Sequence, residues 1–129
     1  MSKRHVRGDI FLVQLDPVIG SEQGGTRPCV VVQNDKGNAF APTTVIVPLS
    51  ASVPDIVYPF HTLLQPEETG LPKQCVAKCE QLKVVAVKGR FIKRLGALTK
   101  DALRRLEKSM LYELGMYPEY QLAQRSALE

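Results

Sequence analysis

The chain has 129 residues, 44% of them hydrophobic, which suits one domain with a modest core. The net charge of +4 and an isoelectric point near 9.1 favour an anionic partner such as nucleic acid, an acidic protein or a membrane surface. No apolar run approaches the roughly 18 residues of a membrane span, and no signal peptide is evident. We therefore expect a cytoplasmic protein with no membrane partner.

Strand signals fill the first two thirds of the chain. β-Branched and apolar runs predict strands at residues 9–15, 29–34, 43–49 and 57–64, with further strands inside 75–87. The strand at 29–34 is nearly all apolar, which indicates burial on both faces. Residues 16–20 and 35–38 have turn composition and residues 65–73 predict a surface loop, while Pro48 marks an end, bulge or edge.

The hydrophobic period changes near the C-terminus. Apolar residues recur at helical spacing, and they are Leu103, Leu106, Met110 and Leu114. With Thr99 as N-cap and Gly115 as the stop, this pattern predicts a helix over 100–114 packed on the sheet. Short strands followed by one helix indicate a small, bent antiparallel sheet or open barrel, which is a mainly β fold. We expect one domain at 1–118 and a tail at 119–129.

The sequence contains no standard catalytic or metal-binding set. Three cysteines make no disulfide framework, and the pair Cys75 and Cys79 lacks further ligands nearby, so buried thiols and no metal are expected. His5 and His61 stand alone, which disfavours a two-histidine ribonuclease mechanism. Phosphoryl chemistry would therefore depend on arginine, a hydroxyl group and a carboxylate.

The segment GSEQGGTRPCVVVQND at residues 20–35 joins a glycine-rich loop to the buried strand. The glycines allow a ligand to approach the backbone closely, and Pro28 biases Arg27 toward extended structure. A guanidinium group is planar, permanently charged and bidentate, so Arg27 suits a phosphate. The alternative at this point is a structural ion pair between Arg27 and Glu22.

Residues 7–35, RGDIFLVQLDPVIGSEQGGTRPCVVVQND, resemble the N-terminal signature of the MazF/PemK family of toxins. TTVIVPLS at 43–50 and CEQLKVV at 79–85 follow in the family's order, so the resemblance covers about residues 7–115. It implies an SH3-like barrel with a C-terminal helix and a homodimer. It also implies a type II toxin–antitoxin endoribonuclease that cuts single-stranded RNA sequence-specifically without a metal or cofactor. The implied products are 2′,3′-cyclic phosphate and 5′-hydroxyl ends.

The resemblance also assigns residues. The family's essential arginine falls on Arg27, and its essential hydroxyl residue, usually threonine, falls on Ser50. Glu22 is the nearby carboxylate that we expect to accept the 2′-hydroxyl proton. The residues expected to bind RNA are Gly20, Ser21, Gln23, Gln81 and Lys83. The expected protein partner is a cognate antitoxin whose flexible acidic segment occupies the same surface.

A basic run from Lys83 to Arg105 holds eight basic residues against one acidic residue, and we expect it to follow RNA phosphates beside the site. Base reading is expected from loops such as residues 51–55. Two alternatives stay open: a toxin of the same fold that poisons DNA gyrase, and a non-catalytic SH3-like RNA-binding module. The scarcity of aromatic residues weighs against a stacking platform.

Overall fold

The computed structural model describes residues 5–116, and the predicted tail at 119–129 lies outside this range. Seven antiparallel strands form one sheet in the described chain: β1 (Asp9–Gln14), β2 (Thr26–Val31), β3 (Thr43–Ser50), β4 (His61–Leu64), β5 (Cys75–Lys78), β6 (Lys83–Ala86) and β7 (Phe91–Ala97). The helical segments are α1 (Asp35–Phe40), α2 (Pro66–Thr69), a 3-10 turn (Cys79–Gln81), the turn α3 (Val87–Arg90) and α4 (Lys100–Glu113). None of the helices in the described range could cross a membrane.

Strand β3 is the centre of the sheet, whose order is β4-β5-β3-β2-β1-β7. One edge of β3 pairs with β2, with Cys29 opposite Pro48. Its other edge pairs first with β6, ending at Ile46, and then with β5 from Leu49 onward. Pro48 therefore lies where one partner strand gives way to the next, a place that tolerates the missing N–H.

Both faces of the central strands are buried, as the apolar run at 29–34 predicts. Alternate residues such as Val30 and Val47 join one core cluster with Leu106 of α4. Their neighbours Val31 and Ile46 join a second cluster on the other face. This period-two alternation lets one layer of strands carry two cores, which bends the sheet into the expected open barrel.

The predicted helix is confirmed as α4. The Thr99 hydroxyl oxygen accepts from the Ala102 N–H at 3.2 Å, and Gly115 adopts a positive φ of 68° beyond the last turn. Leu106 and Met110 are buried against the sheet. Leu114, however, lies past the helix end and is 56% exposed, so its assignment to the packed face is wrong.

Other predictions differ from the structure. The turn expected at 35–38 is helix α1, because the Asn34 side chain caps it by accepting from the Gly37 N–H at 2.7 Å. Residues 57–60 are a loop, and β4 starts at His61, since Pro59 cannot donate to a ladder. The loop expected at 65–73 contains α2. Strand β7 was not predicted from the sequence.

Candidate active site

The glycine-rich loop between β1 and β2 is closed at its base by Asp16. The Asp16 carboxylate accepts from the Gly25 N–H at 3.0 Å, and the Leu15 N–H donates to the Gly25 carbonyl at 2.9 Å. A Cβ at Gly24 would lie 2.7 Å from the Asp16 carboxylate and 2.9 Å from a Val18 methyl group. Glycine is therefore required where the two arms of the loop approach each other.

The crest of the loop is held from the far side by Gln81. The Gln23 N–H donates to the Gln81 side-chain oxygen at 2.8 Å, and the Gln81 amide nitrogen lies 3.5 Å from the Ser21 carbonyl. Gln81 belongs to the 3-10 turn between β5 and β6. The structure thus brings together three of the residues assigned from the sequence, although they lie about 60 positions apart.

Arg27 stands inside this frame, half-buried, at the start of β2 opposite Val13. Its Nε donates to the Gly24 carbonyl at 2.7 Å. The Gln23 amide satisfies its neighbours when its oxygen faces Arg27, where it accepts from Nε and Nη2 at 2.8 Å each. Nη1 has no hydrogen-bond partner among residues 5–116, so the guanidinium keeps donors for a ligand.

Two lysines belong to this part of the sheet, and one of them, Lys78, was missed from the sequence. Lys78, the last residue of β5, places Nζ 3.4 Å from the outer end of the Gln23 amide. That contact is longer than the two 2.8 Å contacts to Arg27, which therefore decide how the amide is oriented. Lys83 pairs in register with Ile46 at the start of β6. The sequence signal that could have identified Lys78 is its position as a charged residue directly after the apolar run Cys75–Ala77.

The thiol of Cys29 lies close to Arg27, whose carbonyl oxygen accepts from Sγ at 3.6 Å. The positive charges of Arg27 and Lys83 favour its thiolate, yet burial dominates and raises the pKa of Cys29 to about 12. The Cys29 thiol is therefore neutral and does not compensate the charges of Arg27 and Lys83.

Ser50 ends β3 and is buried. Its hydroxyl oxygen accepts from the Ser52 N–H at 3.2 Å, which leaves the hydroxyl hydrogen able to donate. The ladder between β2 and β3 stops with Cys29 opposite Pro48. Extending this register by two residues places Ser50 opposite Arg27, on the same face of the sheet.

Glu22 and Gly20 lie on the exposed outer side of the loop. The Glu22 carboxylate accepts from the Ile19 N–H at 3.2 Å and closes a local turn. No ion pair joins it to Arg27 among the described residues, so the structural ion pair considered as an alternative is not found. Arg27 therefore retains its charge for a ligand.

Sequence comparison matches residues 6–112 to the PemK-like, MazF-like toxins of type II toxin–antitoxin systems. This chain belongs to that family. Over 110 residues it is 31% identical to a protein of Bacillus subtilis (strain 168) named endoribonuclease EndoA, covering 85% of this chain and 94% of that protein.

Solved structures agree on the fold. MazF from Deinococcus radiodurans superposes with a TM-score of 0.77 at 23% identity, covering 89% of this chain and 100% of that chain. A mycobacterial endoribonuclease solved with its cognate antitoxin gives a TM-score of 0.71 at 18% identity, covering 88% and 97%. The MazF-like open barrel with a C-terminal helix is thereby confirmed.

The basic run of this family member is not one continuous surface. Arg90 donates from Nη1 to the carbonyls of Gln14 and Asp16 at 2.9 and 2.8 Å, which fixes the end of β1. Arg94 pairs with Asp9 at 3.1 Å. Arg105 pairs with Glu68 and lowers the pKa of that carboxyl group. These three arginines stabilise the barrel, and Lys83 is a member of the run whose charge acts on Cys29 together with that of Arg27.

The remaining sequence candidates lie elsewhere. His61 contacts Glu80 at 3.1 Å, and His5 packs edge-on against Phe91. All three cysteines are free and buried. Within residues 5–116 no group of three or more His, Cys, Asp or Glu side chains is arranged to hold a metal ion.

The buried thiols should resist alkylation in the folded toxin. Burial raises the pKa of Cys29, Cys75 and Cys79 to about 12, 11 and 12, so very little thiolate exists at pH 8. Iodoacetamide labelling followed by mass spectrometry should find these cysteines unmodified in the native protein and modified in guanidinium chloride. Rapid native labelling of Cys29 at pH 8 would show that the site floor is open to water.

Proposed function

We propose that this chain is a sequence-specific endoribonuclease toxin that cuts single-stranded RNA without a metal ion or cofactor. The observation that carries the proposal is the placement of Arg27, which has a rigid strand beneath it, a tethered loop beside it and unused donors. The Bacillus relative is named an endoribonuclease, which supports this activity over gyrase poisoning. A non-catalytic RNA-binding module would need no hydroxyl group opposite the arginine.

The proposed reaction is an internal transphosphorylation. The ribose 2′-oxygen attacks the adjacent phosphorus, a P–O2′ bond forms and the P–O5′ bond breaks. The 2′-hydroxyl proton passes to the Glu22 carboxylate, and the departing 5′-oxygen takes a proton from solvent, which later recovers one from Glu22, so that the net transfer is one proton from the 2′-oxygen to the 5′-oxygen. The products are a 2′,3′-cyclic phosphate and a 5′-hydroxyl group, and no water is consumed in this step.

Arg27 supplies positive charge that stabilises the negative charge of this transition state. Negative charge grows on the phosphate oxygens and on the 5′-oxygen, and fixed donors stabilise it without reorganisation. The guanidinium is too weak an acid to give up its own proton readily. We therefore assign electrostatic stabilisation to Arg27, with the Gln23 amide exchanged for phosphate when RNA binds.

Ser50 and Glu22 take the remaining catalytic roles. The Ser50 hydroxyl donates to a non-bridging phosphate oxygen opposite Arg27. Glu22 accepts the 2′-hydroxyl proton at Oε2, since Oε1 already accepts from the Ile19 N–H. Gln23, Gln81 and Lys83 hold the RNA strand, and Gly20 and Ser21 let it approach the loop backbone.

We further propose a cytoplasmic homodimer, built from a single toxin domain over residues 1–118, that is inhibited by a cognate antitoxin. The mycobacterial relative solved with its antitoxin supports such a partner. A flexible acidic segment would be drawn to Arg27, Lys78 and Lys83 by the same charge that attracts RNA.

Cleavage of one long RNA in excess EDTA tests the proposed function. The purified protein should cut at a recurring sequence. Its activity should survive EDTA, because no cluster of metal ligands is present among the described residues. The new ends should be 5′-hydroxyl groups, ligatable only after phosphorylation. If the RNA stays intact and the protein inhibits DNA supercoiling by gyrase, the protein is a gyrase poison and not a ribonuclease. If cleavage requires magnesium, the proposed mechanism is wrong.

Replacing Arg27 by alanine should reduce the cleavage rate by a factor on the order of 10² or more, the scale for losing one transition-state donor. Arg104→Ala is the matched control, since Arg104 is exposed on α4. Both variants should unfold at temperatures close to that of the wild type. A folded Arg27→Ala variant that cuts as fast as Arg104→Ala would disprove the role of the guanidinium.

The Ser50 hydroxyl should be replaceable by threonine but not by alanine. Threonine keeps the donor and restricts its rotamers, so Ser50→Thr should cut within a few-fold of the wild-type rate. Ser50→Ala should be at least about tenfold slower, since it loses one hydrogen bond to a charged oxygen. Single-turnover rates on one oligonucleotide measure this, and equal rates for serine and alanine would mean that the hydroxyl is misassigned.

A further inference from the structure

His61 lies on the sheet face that carries Ser50. It is the first residue of β4 and pairs in register with Lys78 of β5, while Val76, two residues before Lys78, pairs with Ser50. The His61 side chain is 7% exposed and makes no hydrogen bond with Arg27 within the described residues. Any influence of His61 on the proposed reaction therefore passes through the groups that its ring holds.

The first of these groups belongs to the loop of residues 51–60. At the start of the loop the Ser52 N–H donates to the Ser50 hydroxyl oxygen at 3.2 Å. At its end the Tyr58 N–H donates to Nδ1 of His61 at 3.3 Å, and the Tyr58 carbonyl accepts from the His61 N–H at 2.8 Å. Residues 53–57 make no hydrogen bond within the part of the chain that the structure describes. His61 therefore holds the far end of a loop whose near end is bonded to the Ser50 hydroxyl.

The second group belongs to the 3-10 turn after β5. Nε2 of His61 lies 3.1 Å from the Glu80 carboxylate, which has no other hydrogen-bond partner among residues 5–116. The next residue, Gln81, accepts from the Gln23 N–H at 2.8 Å, and the Gln23 amide accepts from Arg27. His61 therefore holds the turn that anchors the crest of the glycine-rich loop.

The two bonds define the tautomer of the ring. A backbone N–H can only donate, so Nδ1 accepts from Tyr58 and carries no hydrogen. The hydrogen is then on Nε2, which donates it to Glu80. The rings of Tyr58 and Phe60 contact the imidazole edge-on, with centroids 5.9 and 4.6 Å away. One neutral imidazole thus serves as the acceptor for the loop and as the donor for the turn.

We propose that His61 is a positioning residue for RNA cleavage, because its ring joins the loop that follows Ser50 to the turn that anchors Gln23. This inference rests on the proposed ribonuclease activity. The two bonds fix the Ser50 hydroxyl and the Arg27 guanidinium relative to each other before RNA binds. A displacement of about 1 Å in such groups can slow a reaction about 10²-fold.

Four variants separate the two bonds. Glu80→Gln keeps an oxygen for the Nε2 hydrogen and Glu80→Ala removes it, while both variants leave the imidazole in place and lose the same charge. His61→Asn keeps an acceptor where Nδ1 lies but does not extend to Glu80, and His61→Ala loses both bonds.

Ser109→Ala is the matched control for destabilisation of β4. The Ser109 hydroxyl accepts from the Thr62 hydroxyl at 2.7 Å and donates to the His61 carbonyl at 3.1 Å, so its loss weakens β4 without changing the imidazole. Melting temperatures establish which variants are folded. Glu80→Ala and His61→Asn decide the inference even where His61→Ala does not fold.

Single-turnover cleavage of one oligonucleotide is the measurement. Glu80→Gln and Ser109→Ala should cut within about twofold of the wild-type rate, the range expected when no coupled interaction is lost. Glu80→Ala and His61→Asn should each be about tenfold slower, because the turn loses its anchor, and His61→Ala should be slower still. The affinity for an oligonucleotide with one 2′-deoxynucleotide at the cleavage position should change less than about threefold, since a positioning residue acts on the rate.

A double-mutant cycle tests the route through Gln81. In the Gln81→Ala background, Glu80→Ala should slow cleavage by less than about twofold, because the turn no longer anchors the loop. Glu80→Ala and His61→Asn that both cut at the wild-type rate would overturn the inference. So would a Ser109→Ala variant as slow as His61→Asn, or a full effect of Glu80→Ala in the Gln81→Ala background. If the wild-type protein leaves RNA intact, the proposed function itself fails, so the two failures are distinguishable.

Discussion

The site depends on the closure of one glycine-rich loop over the start of a buried strand. Asp16 fixes the base of the loop through Gly25, and Gln81 fixes its crest through Gln23. Without these two anchors, the Gly24 carbonyl and the Gln23 amide that hold the Arg27 guanidinium would move with the loop, and the position of the guanidinium would have to be fixed at the moment of reaction. The tethers order the loop in advance, and preorganised donors are what stabilise a charged transition state.

The barrel supplies the second requirement, a low-dielectric base beneath a set of cations. Cys29 stays neutral although two positive charges act on it, because its burial outweighs their attraction. Three arginines of the basic run, Arg90, Arg94 and Arg105, pair with carboxylates or carbonyl groups, so their charge is used within the fold. Arg27, Lys78 and Lys83 are cations near the loop, and in the reaction we propose their positive charge attracts the anionic RNA strand.

Part of this arrangement is readable from the sequence. The period of α4, its Thr99 cap and the buried strand around Val30 follow from simple patterns, and the segment from Gly20 to Pro28 carries the family resemblance. Strand β7 could not be predicted from the sequence, because most of its side chains face solvent and its backbone hydrogen bonds to β1 produce no pattern of side chains. Lys78 acquires its position beside Gln23 from strand register, which depends on contacts distant in sequence.

The most direct test of the central claim is the crystal structure of this protein with an RNA oligonucleotide that carries one 2′-deoxynucleotide at the cleavage position. That substitution removes the attacking hydroxyl and leaves the phosphate in place. We expect the Arg27 guanidinium within hydrogen-bond distance of the scissile phosphate, and the Gln23 amide withdrawn from it. A phosphate bound elsewhere, with Arg27 still bonded to Gln23 and Gly24, would contradict this account.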